Sequence, residues 1–344
     1  MKKILITGSS GLVGSEAVLY FDKLDYQVYG LDNNMRKEFF GIEGDTSSTK
    51  KFLINKTNYI DLYFDIRNRE KVLNLFREHR FEAIIHCAAQ PSHDKAKEIP
   101  LIDFDVNAIG TVNLLEAAKR NCPEAPFIFM STNKVYGDAP NEISVFEYEK
   151  RYDYFFNSDG VSENCRIDQT MHSLFGASKT AADVMAQEYG RYFGLPVGVF
   201  RGGCITGERH AAVQLHGFLA FLIKNAKEQK KFTIFGYKGK QVRDQIHAYD
   251  LVTAFHEFIK NPKYGEVYNI GGGKQNSASI LECIDLIEQL TGYRLEYEYV
   301  DLPRKGDHIC YYSNLNKFKT HYPNWNITKN LNSILQGMIS ITNG

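Results

Sequence analysis

The chain has 344 residues, of which 43% are hydrophobic, and its 41 basic side chains balance 41 acidic ones. This length accommodates one large domain and a smaller one, with enough apolar residues for a sizeable core. The zero net charge gives no indication of a nucleic acid or an anionic membrane as a partner. No apolar run is long enough to span a bilayer, and the first residues lack the features of a signal peptide, so we predict a cytoplasmic protein.

The cysteines and histidines show no pattern of a metal site. The six cysteines are scattered without a C-x-x-C pair, which predicts reduced and mostly buried thiols. We therefore expect no metal. Histidines near a phosphate pocket are able to donate to a phosphate or to move a proton, and the candidates are His93, His172, His210, His216 and His247.

The N-terminal segment has the pattern of a dinucleotide-binding unit. An apolar run at 3–7 precedes Gly8-Ser9-Ser10-Gly11-Leu12-Val13-Gly14, and a helical stretch follows. Gly8 allows a tight turn, Gly11 lets the backbone approach a pyrophosphate, and Gly14 lets the helix pack closely on the strand. The phosphates would lie at the helix N-terminus, where unpaired N–H groups favour negative charge.

The second strand of this unit ends at an acidic residue. Asp32 follows the apolar run 27–31 and is placed to accept hydrogen bonds from the adenosine ribose hydroxyls. Its carboxylate would repel a 2′-phosphate, which favours NAD over NADP, whereas Arg36 nearby favours the opposite choice. The segment therefore predicts an NAD site.

Strand-like and helical patterns alternate through the first two-thirds of the chain. Strands are predicted at 60–65, 81–87, 127–130 and 197–200, helices at 105–120 and 177–192, and an inserted loop at 152–168. This alternation predicts an α/β fold, a Rossmann-type doubly wound parallel sheet whose ligands bind at the carboxyl ends of the strands. We expect residues 1–200, with part of 240–275, to form the NAD-binding domain. Residues 201–344 would mainly form a smaller C-terminal substrate-binding lobe.

Several further motifs fall at the predicted strand ends. They are His86-Cys87-Ala88-Ala89-Gln90, Asn107 with Gly110-Thr111, Thr132 before Tyr136, Lys179, Arg201 before Gly207, Arg243-Asp244 before His247 and Asp250, and Arg304 before Gly306-Asp307. With these motifs the chain resembles the extended short-chain dehydrogenases/reductases that act on nucleotide sugars. The resemblance covers nearly the full length.

The resemblance implies NAD as cofactor, a nucleotide sugar as substrate, and a homodimer or homotetramer. The implied cofactor-binding residues are Gly8, Ser10, Gly11, Leu12, Val13, Gly14, Asp32, Asn33, Arg36, Asp65, Ile66, Ala88, Ala89, Gln90, Asn107, Ser131 and Lys179. The implied catalytic positions are Thr132, Phe175 and Lys179, and the implied substrate-binding residues are Asn133, Lys134, Gln214, His216, Arg243 and Arg304. Arg243 and Arg304 would bind the diphosphate through bidentate hydrogen bonds from their guanidinium groups.

Position 175 departs from the family pattern. The family places a tyrosine four residues before the lysine as the acid–base group, but this chain has Phe175, which neither donates nor accepts a proton. Loss of such a group typically costs about 10²–10⁴-fold in rate. Three interpretations stay open: an engineered variant, an enzyme that uses Thr132 with Lys179 or a group such as His172, and a protein that binds cofactor without catalysis.

A second departure excludes one reaction. Sugar 4,6-dehydratases of this family need an Asp-Glu pair after the active-site hydroxyl, where this chain has Asn133 and Lys134. Dehydration is therefore not expected, which leaves oxidation and reduction at one carbon, as in epimerases of surface polysaccharide synthesis. The segments 31–36, 131–137, 215–219 and 235–244 resemble epimerases that act at C2 of a CDP-hexose. A UDP-hexose 4-epimerase and a net oxidoreductase with exchangeable cofactor are the alternatives.

Overall fold

The computed structural model describes residues 1–155, 158–210, 217–302 and 306–341. Its strands are β1 (Lys3–Thr7), β2 (Gln27–Leu31), β3 (Ile60–Leu62), β4 (Ala83–His86), β5 (Phe127–Thr132), β6 (Val145–Glu147), β7 (Tyr152–Tyr154), β8 (Val197–Gly202), β9 (Cys204–Thr206), β10 (Phe232–Phe235), β11 (Val242–His247), β12 (Glu266–Ile270), β13 (Ser277–Ser279), β14 (Tyr297–Val300) and β15 (Cys310–Tyr311). Its helices are α1 (Leu12–Asp22), α2 (Met35–Phe40), α3 (Ser47–Lys56), α4 (Arg69–Glu78), α5 (His93–Ala96), α6 (Pro100–Phe104), α7 (Gly110–Asn121), α8 (Leu174–Phe193), α9 (Phe218–Glu228), α10 (Ala248–Lys260), α11 (Ile280–Thr291), α12 (Asn316–His321) and α13 (Leu331–Ile341).

A seven-stranded sheet forms the centre of the molecule, in the order β12-β8-β5-β4-β1-β2-β3. All its strand pairs are parallel, which confirms the predicted Rossmann-type fold. Successive side chains of a strand point to opposite faces of a sheet. Ile4 and Ile6 accordingly pack with α1 and α10 on one face, and Leu5 packs with α4, α7 and α8 on the other.

After β8 the chain forms short strands and helices outside the large sheet, which are called the smaller lobe below. Strand β11 lies between β13 and β15 and also pairs with β9, while β10 pairs with β14. The apolar faces of α9, α11 and α13 enclose a separate hydrophobic core. Strand β12 instead joins the edge of the large sheet beside β8, so the chain passes from the lobe back to the sheet.

Three predicted elements differ from the structure. Strand β3 ends at Leu62, before Asp65, and the helix predicted from 105 begins with a π-helical turn, Asp105–Ile109. The predicted loop 152–168 is wrong at its start, because β7 pairs with β6. Tyr154 is buried there and its hydroxyl donates to the Cys310 carbonyl at 2.6 Å, a partner that is distant in sequence.

Candidate active site

The glycine loop has the close contacts that its sequence predicts. Gly8 has a φ of 69°, and a Cβ there would lie 2.8 Å from the Ala88 nitrogen. A Cβ on Gly14 would lie 2.0 Å from the Gly8 carbonyl oxygen, so the first turn of α1 packs directly on the loop. No described side chain caps the N-terminus of α1, and the buried Ser10 hydroxyl has no hydrogen-bond partner among the described residues. These free donors fit the phosphates of a dinucleotide.

The Asp32 carboxylate is held in position at the end of β2. Its Oδ2 accepts a hydrogen bond from the Ser10 backbone nitrogen at 2.9 Å, and its Oδ1 accepts one from the Asn34 nitrogen at 2.7 Å. Burial raises the pKa of Asp32, while these two donors oppose that rise. Arg36 lines the same cavity, and burial lowers its pKa to about 10.

A cavity of about 770 Å³ connects this loop to the smaller lobe. Its size is that of a ligand-binding cleft. Of the residues predicted to bind or react, the structure brings these to its wall: Gly8, Ser10, Gly11, Leu12, Val13, Gly14, Asp32, Asn33, Arg36, Asp65, Ile66, Ala88, Ala89, Ser131, Thr132, Asn133, Lys134, Phe175, Lys179 and Arg243. Gln214, His216 and Arg304 lie outside the described residues.

Two predicted cofactor-binding residues lie behind the cavity wall. Asn107 Oδ1 accepts a hydrogen bond from the Gln90 backbone nitrogen at 2.9 Å, and its Nδ2 lies 3.1 Å from both Asp103 Oδ1 and Ser178 Oγ. The Gln90 side chain donates to Asp103 at 2.7 Å. The side-chain polar atoms of Asn107 and Gln90 are thus hydrogen-bonded to protein groups, and a role of either residue toward the cofactor stays a prediction.

Lys179 is buried beside the cavity on α8. It is only 3% exposed, and its Nζ donates to the Met130 carbonyl at 2.8 Å. Nζ also lies 4.2 Å above the ring of Phe129. Burial lowers the pKa of Lys179 to about 8, so its amine loses its proton at a much lower pH than that of an exposed lysine.

Phe175 occupies the first turn of α8, close to the end of β5. It is 7% exposed and lines the cavity, as does Thr132. Thr132 Oγ1 accepts a hydrogen bond from the Lys134 nitrogen at 3.2 Å. The same hydroxyl donates a long hydrogen bond of 3.5 Å to Asn133 Oδ1.

His172 is not available as a substitute for the missing phenol. Its Nε2 lies 2.7 Å from the Val135 carbonyl and its Nδ1 lies 3.1 Å from the Thr170 carbonyl. Both ring nitrogens are thus occupied by the backbone, which argues against the interpretation that His172 takes the place of the phenol. His247 likewise contacts Glu208 at 2.9 Å and caps α10, whereas His93 and His210 line the cavity.

A cationic cluster lies where the cavity enters the smaller lobe. Arg243 forms an ion pair with Asp307 and donates to the His308 carbonyl at 2.6 Å. Lys134 Nζ donates to the Gly306 carbonyl at 3.0 Å and lies 3.5 Å from Asp307. The two neighbouring cations hold the pKa of Asp307 well below its usual range. With two cations and one carboxylate, the cluster suits an anionic ligand.

Sequence reasoning missed several residues of the cavity wall, among them Gln241 and Gln245. The strand alternation around Arg243 was the available signal, because positions two residues apart share a face. Within the part of the chain that the structure describes, no group of three His, Cys, Asp or Glu residues is arranged to hold a metal ion. Nor does any described helix have the length and apolarity needed to cross a membrane.

The parallel sheet, the glycine loop, the acid after β2 and the lysine on α8 together define the class of short-chain dehydrogenases/reductases. The model of the NAD dependent epimerase/dehydratase family matches residues 4–271, and the chain belongs to this family. NAD is accordingly the cofactor of the family, as the sequence predicts.

Known proteins similar to this chain carry out related reactions. CDP-paratose 2-epimerase from Salmonella typhi is 33% identical over 323 residues, which cover 92% of each chain. dTDP-glucose 4,6-dehydratase 1 from Escherichia coli is 27% identical, over 87% of this chain and 81% of its own. A tyrosine-to-phenylalanine mutant of UDP-glucuronic acid 4-epimerase from Bacillus cereus, in complex with UDP-4-deoxy-4-fluoroglucuronic acid and NAD, superimposes with a TM-score of 0.82. It is 25% identical, and the match covers 99% of each chain.

Proposed function

We propose that this protein is an NAD-dependent nucleotide-sugar epimerase that inverts C2 of a CDP-hexose, in the manner of the CDP-paratose to CDP-tyvelose conversion. The observation that carries the proposal is the shared cavity, which places the NAD-type loop, Lys179 and the Arg243 cluster around one space. The identity of 33% with a CDP-paratose 2-epimerase, over 92% of both chains, supports the choice of base and carbon.

The residues of the large domain suit NAD. The N-terminus of α1 and the Ser10 hydroxyl would hold the pyrophosphate, Asp32 would accept from the adenosine ribose, and Lys179 would donate to the nicotinamide ribose. The chemistry that NAD would supply when bound is reversible hydride transfer, in which the hydride returns to the opposite face of the ketosugar. Because no net oxidation results, the same NAD molecule would serve many turnovers.

Thr132 and Lys179 would replace the missing phenol. We infer that the Thr132 hydroxyl contacts the reacting sugar hydroxyl and that the neutral Lys179 amine takes up the proton. The position of Thr132 and Lys179 on the cavity wall, the long 3.5 Å bond that is the hydroxyl's donor contact, and the pKa of about 8 for Lys179 support this assignment. Phe175 would pack against the sugar without any part in proton transfer.

The remaining polar residues favour epimerisation over dehydration. Asn133 and Lys134 line the cavity at the positions where a dehydratase needs two carboxyl groups. Lys134 donates to the Gly306 carbonyl and forms an ion pair with Asp307, and together with Arg243 it would neutralise the substrate diphosphate. These side chains bind an anion but do not remove water from a sugar.

The decisive experiment uses CDP-paratose labelled with deuterium at C2. We expect NMR to show CDP-tyvelose that retains the label, and denatured protein to release NAD. Inversion at C4 of a UDP-hexose would instead identify a UDP-hexose 4-epimerase. Bound NAD with no inversion of any CDP- or UDP-hexose would identify a protein that binds without catalysis, and label lost to free NADH would identify a net oxidoreductase.

We also propose that the protein is a homodimer or homotetramer built through the helices around α7 and α8. Apolar side chains on this face are exposed in the single chain, among them Leu101, Phe104, Ile109 and Met185. Large apolar side chains exposed on neighbouring helices are typical of an interface. Light scattering on the purified protein tests the prediction, and a monomer at micromolar concentration would contradict it.

A further inference from the structure

Strand β11 presents alternate side chains to two different environments. Val242 and Ile246 are fully buried in hydrophobic cores, whereas Gln241, Arg243 and Gln245 line the cavity. Side chains two residues apart on a strand share a face. The cavity-facing row is therefore one arginine between two carboxamides.

The carboxamide of Gln245 is buried without a partner. Its exposed fraction is 0%, and neither Nε2 nor Oε1 makes a hydrogen bond within the described ranges. Burying an amide without a hydrogen bond is costly, and native proteins seldom leave such a group unpaired. Because Gln245 lines the cavity, a ligand is the natural source of both a donor and an acceptor.

Gln241 offers one free atom of defined character. Its Nε2 donates to the Phe235 carbonyl at 3.1 Å, and a carbonyl oxygen accepts only, so the amide orientation is fixed. The remaining Oε1 is buried and has no partner among the residues that the structure describes. Gln241 therefore presents an acceptor to the cavity.

The strand pairing orders these groups along the cavity. Gln245 pairs with Cys204 on β9, which directly follows β8, and Gly202 at the end of β8 pairs with Thr132. Gln245 is thus on the side of the reacting carbon, and Gln241 lies roughly 13 Å farther along the row. Arg243 lies between them, where we place the diphosphate.

We propose that these two glutamines bind opposite ends of the substrate, the sugar and the nucleoside. Gln245 donates to one sugar oxygen and accepts from a sugar hydroxyl, and Gln241 accepts a hydrogen bond from an N–H or O–H of the nucleoside. This inference rests on the proposed function. It assigns sugar recognition and nucleoside recognition to opposite sides of Arg243 on a single strand.

Calorimetry on the NAD-loaded protein tests the assignment, with CDP-glucose and CDP as one pair of probes and UDP-glucose and UDP as a second pair. Methionine has a similar length without hydrogen-bonding groups. Gln245→Met should weaken the binding of the nucleotide sugar about tenfold and leave that of the nucleoside diphosphate within about twofold. Gln241→Met should weaken both members of a pair about equally, by about tenfold.

Thermal unfolding of the ligand-free proteins separates recognition from a structural role. We expect Gln245→Met to melt no lower than the natural protein, because it removes two unpaired buried atoms. Gln241→Met should melt slightly lower, because it also removes the hydrogen bond to the Phe235 carbonyl. Equal binding of CDP-glucose by Gln245→Met and the natural protein would overturn the proposal. A loss of affinity for CDP in Gln245→Met as large as the loss for CDP-glucose would also overturn it. If the natural protein bound neither nucleotide sugar, the proposed function would fail and the inference with it.

Discussion

Arg201 on β8 and Asp183 on α8 form a buried bidentate ion pair beneath the active-site end of the sheet. The guanidinium nitrogens lie 3.0 and 2.8 Å from the two carboxylate oxygens. Asp183 also accepts from Ser131 at 2.5 Å, and it is one helical turn after Lys179. The pair raises the pKa of Arg201 and fixes α8 to the ends of β5 and β8, which sets where Lys179 meets the cavity.

Asp183→Asn should destabilise the protein strongly. The change leaves the Arg201 guanidinium buried without a counter-charge, and breaking a buried pair in this way costs about 3–5 kcal/mol. Urea unfolding followed by circular dichroism measures the change. Lys150→Met, which removes an exposed partner of Asp285, is the matched control and should leave the free energy of unfolding nearly unchanged. Equal effects of the two changes would contradict the role of the buried pair.

Two glycine substitutions should separate packing from cofactor binding. Gly14→Ala places a Cβ 2.0 Å from the Gly8 carbonyl oxygen and should lower stability by about 1–3 kcal/mol through overpacking. Gly11→Ala meets that oxygen at 3.3 Å, so the fold should adjust, but the methyl group would obstruct the pyrophosphate. We expect Gly11→Ala to melt close to the natural protein and to copurify with much less NAD. Full NAD content in Gly11→Ala would disprove the predicted approach of the cofactor.

Phe175→Tyr should raise kcat about 10²-fold, because a phenol is a far better acid–base group than a threonine hydroxyl. Thr132→Val should lower kcat by about 10²-fold in the natural protein and by less in the Phe175→Tyr background. Steady-state rates of the four proteins, each normalised to bound NAD, form a double-mutant cycle. Additive effects would show that Thr132 does not stand in for the phenol. An unchanged rate on restoring the tyrosine would show that another group carries the proton.

The rate should depend on pH through Lys179. A lysine is charged below its pKa and neutral above it, and only the neutral amine takes up a proton. Because burial lowers the pKa of Lys179 to about 8, kcat should rise with pH from about 6 and level off above about 9. Lys179→Met should remove this rise along with most of the activity. A rate that stayed flat across this range would assign the proton to a different residue.

The sequence by itself determined the features whose conformation is set by neighbouring residues. The glycine spacing predicts the loop and the packing of α1, and the apolar runs predict the parallel strands. The place of Asp32 after the second apolar run predicts that its carboxylate lies at the end of β2. The sequence also determined that position 175 lacks an acid–base group, because this depends only on the chemistry of the phenylalanine side chain. Local patterns are sufficient here because turn geometry and strand alternation depend on short stretches of chain.

Only the tertiary structure decided which polar groups are already occupied. His172 is bound by the Val135 carbonyl, Asn107 by Gln90, and Lys134 by Gly306, which is 172 residues away in the chain. The carboxamide of Gln245 and the Oε1 atom of Gln241 stand out for the opposite reason, since both are buried without a partner among the described residues. A hydrogen bond depends on distances of a few tenths of an ångström between segments that the sequence does not place side by side.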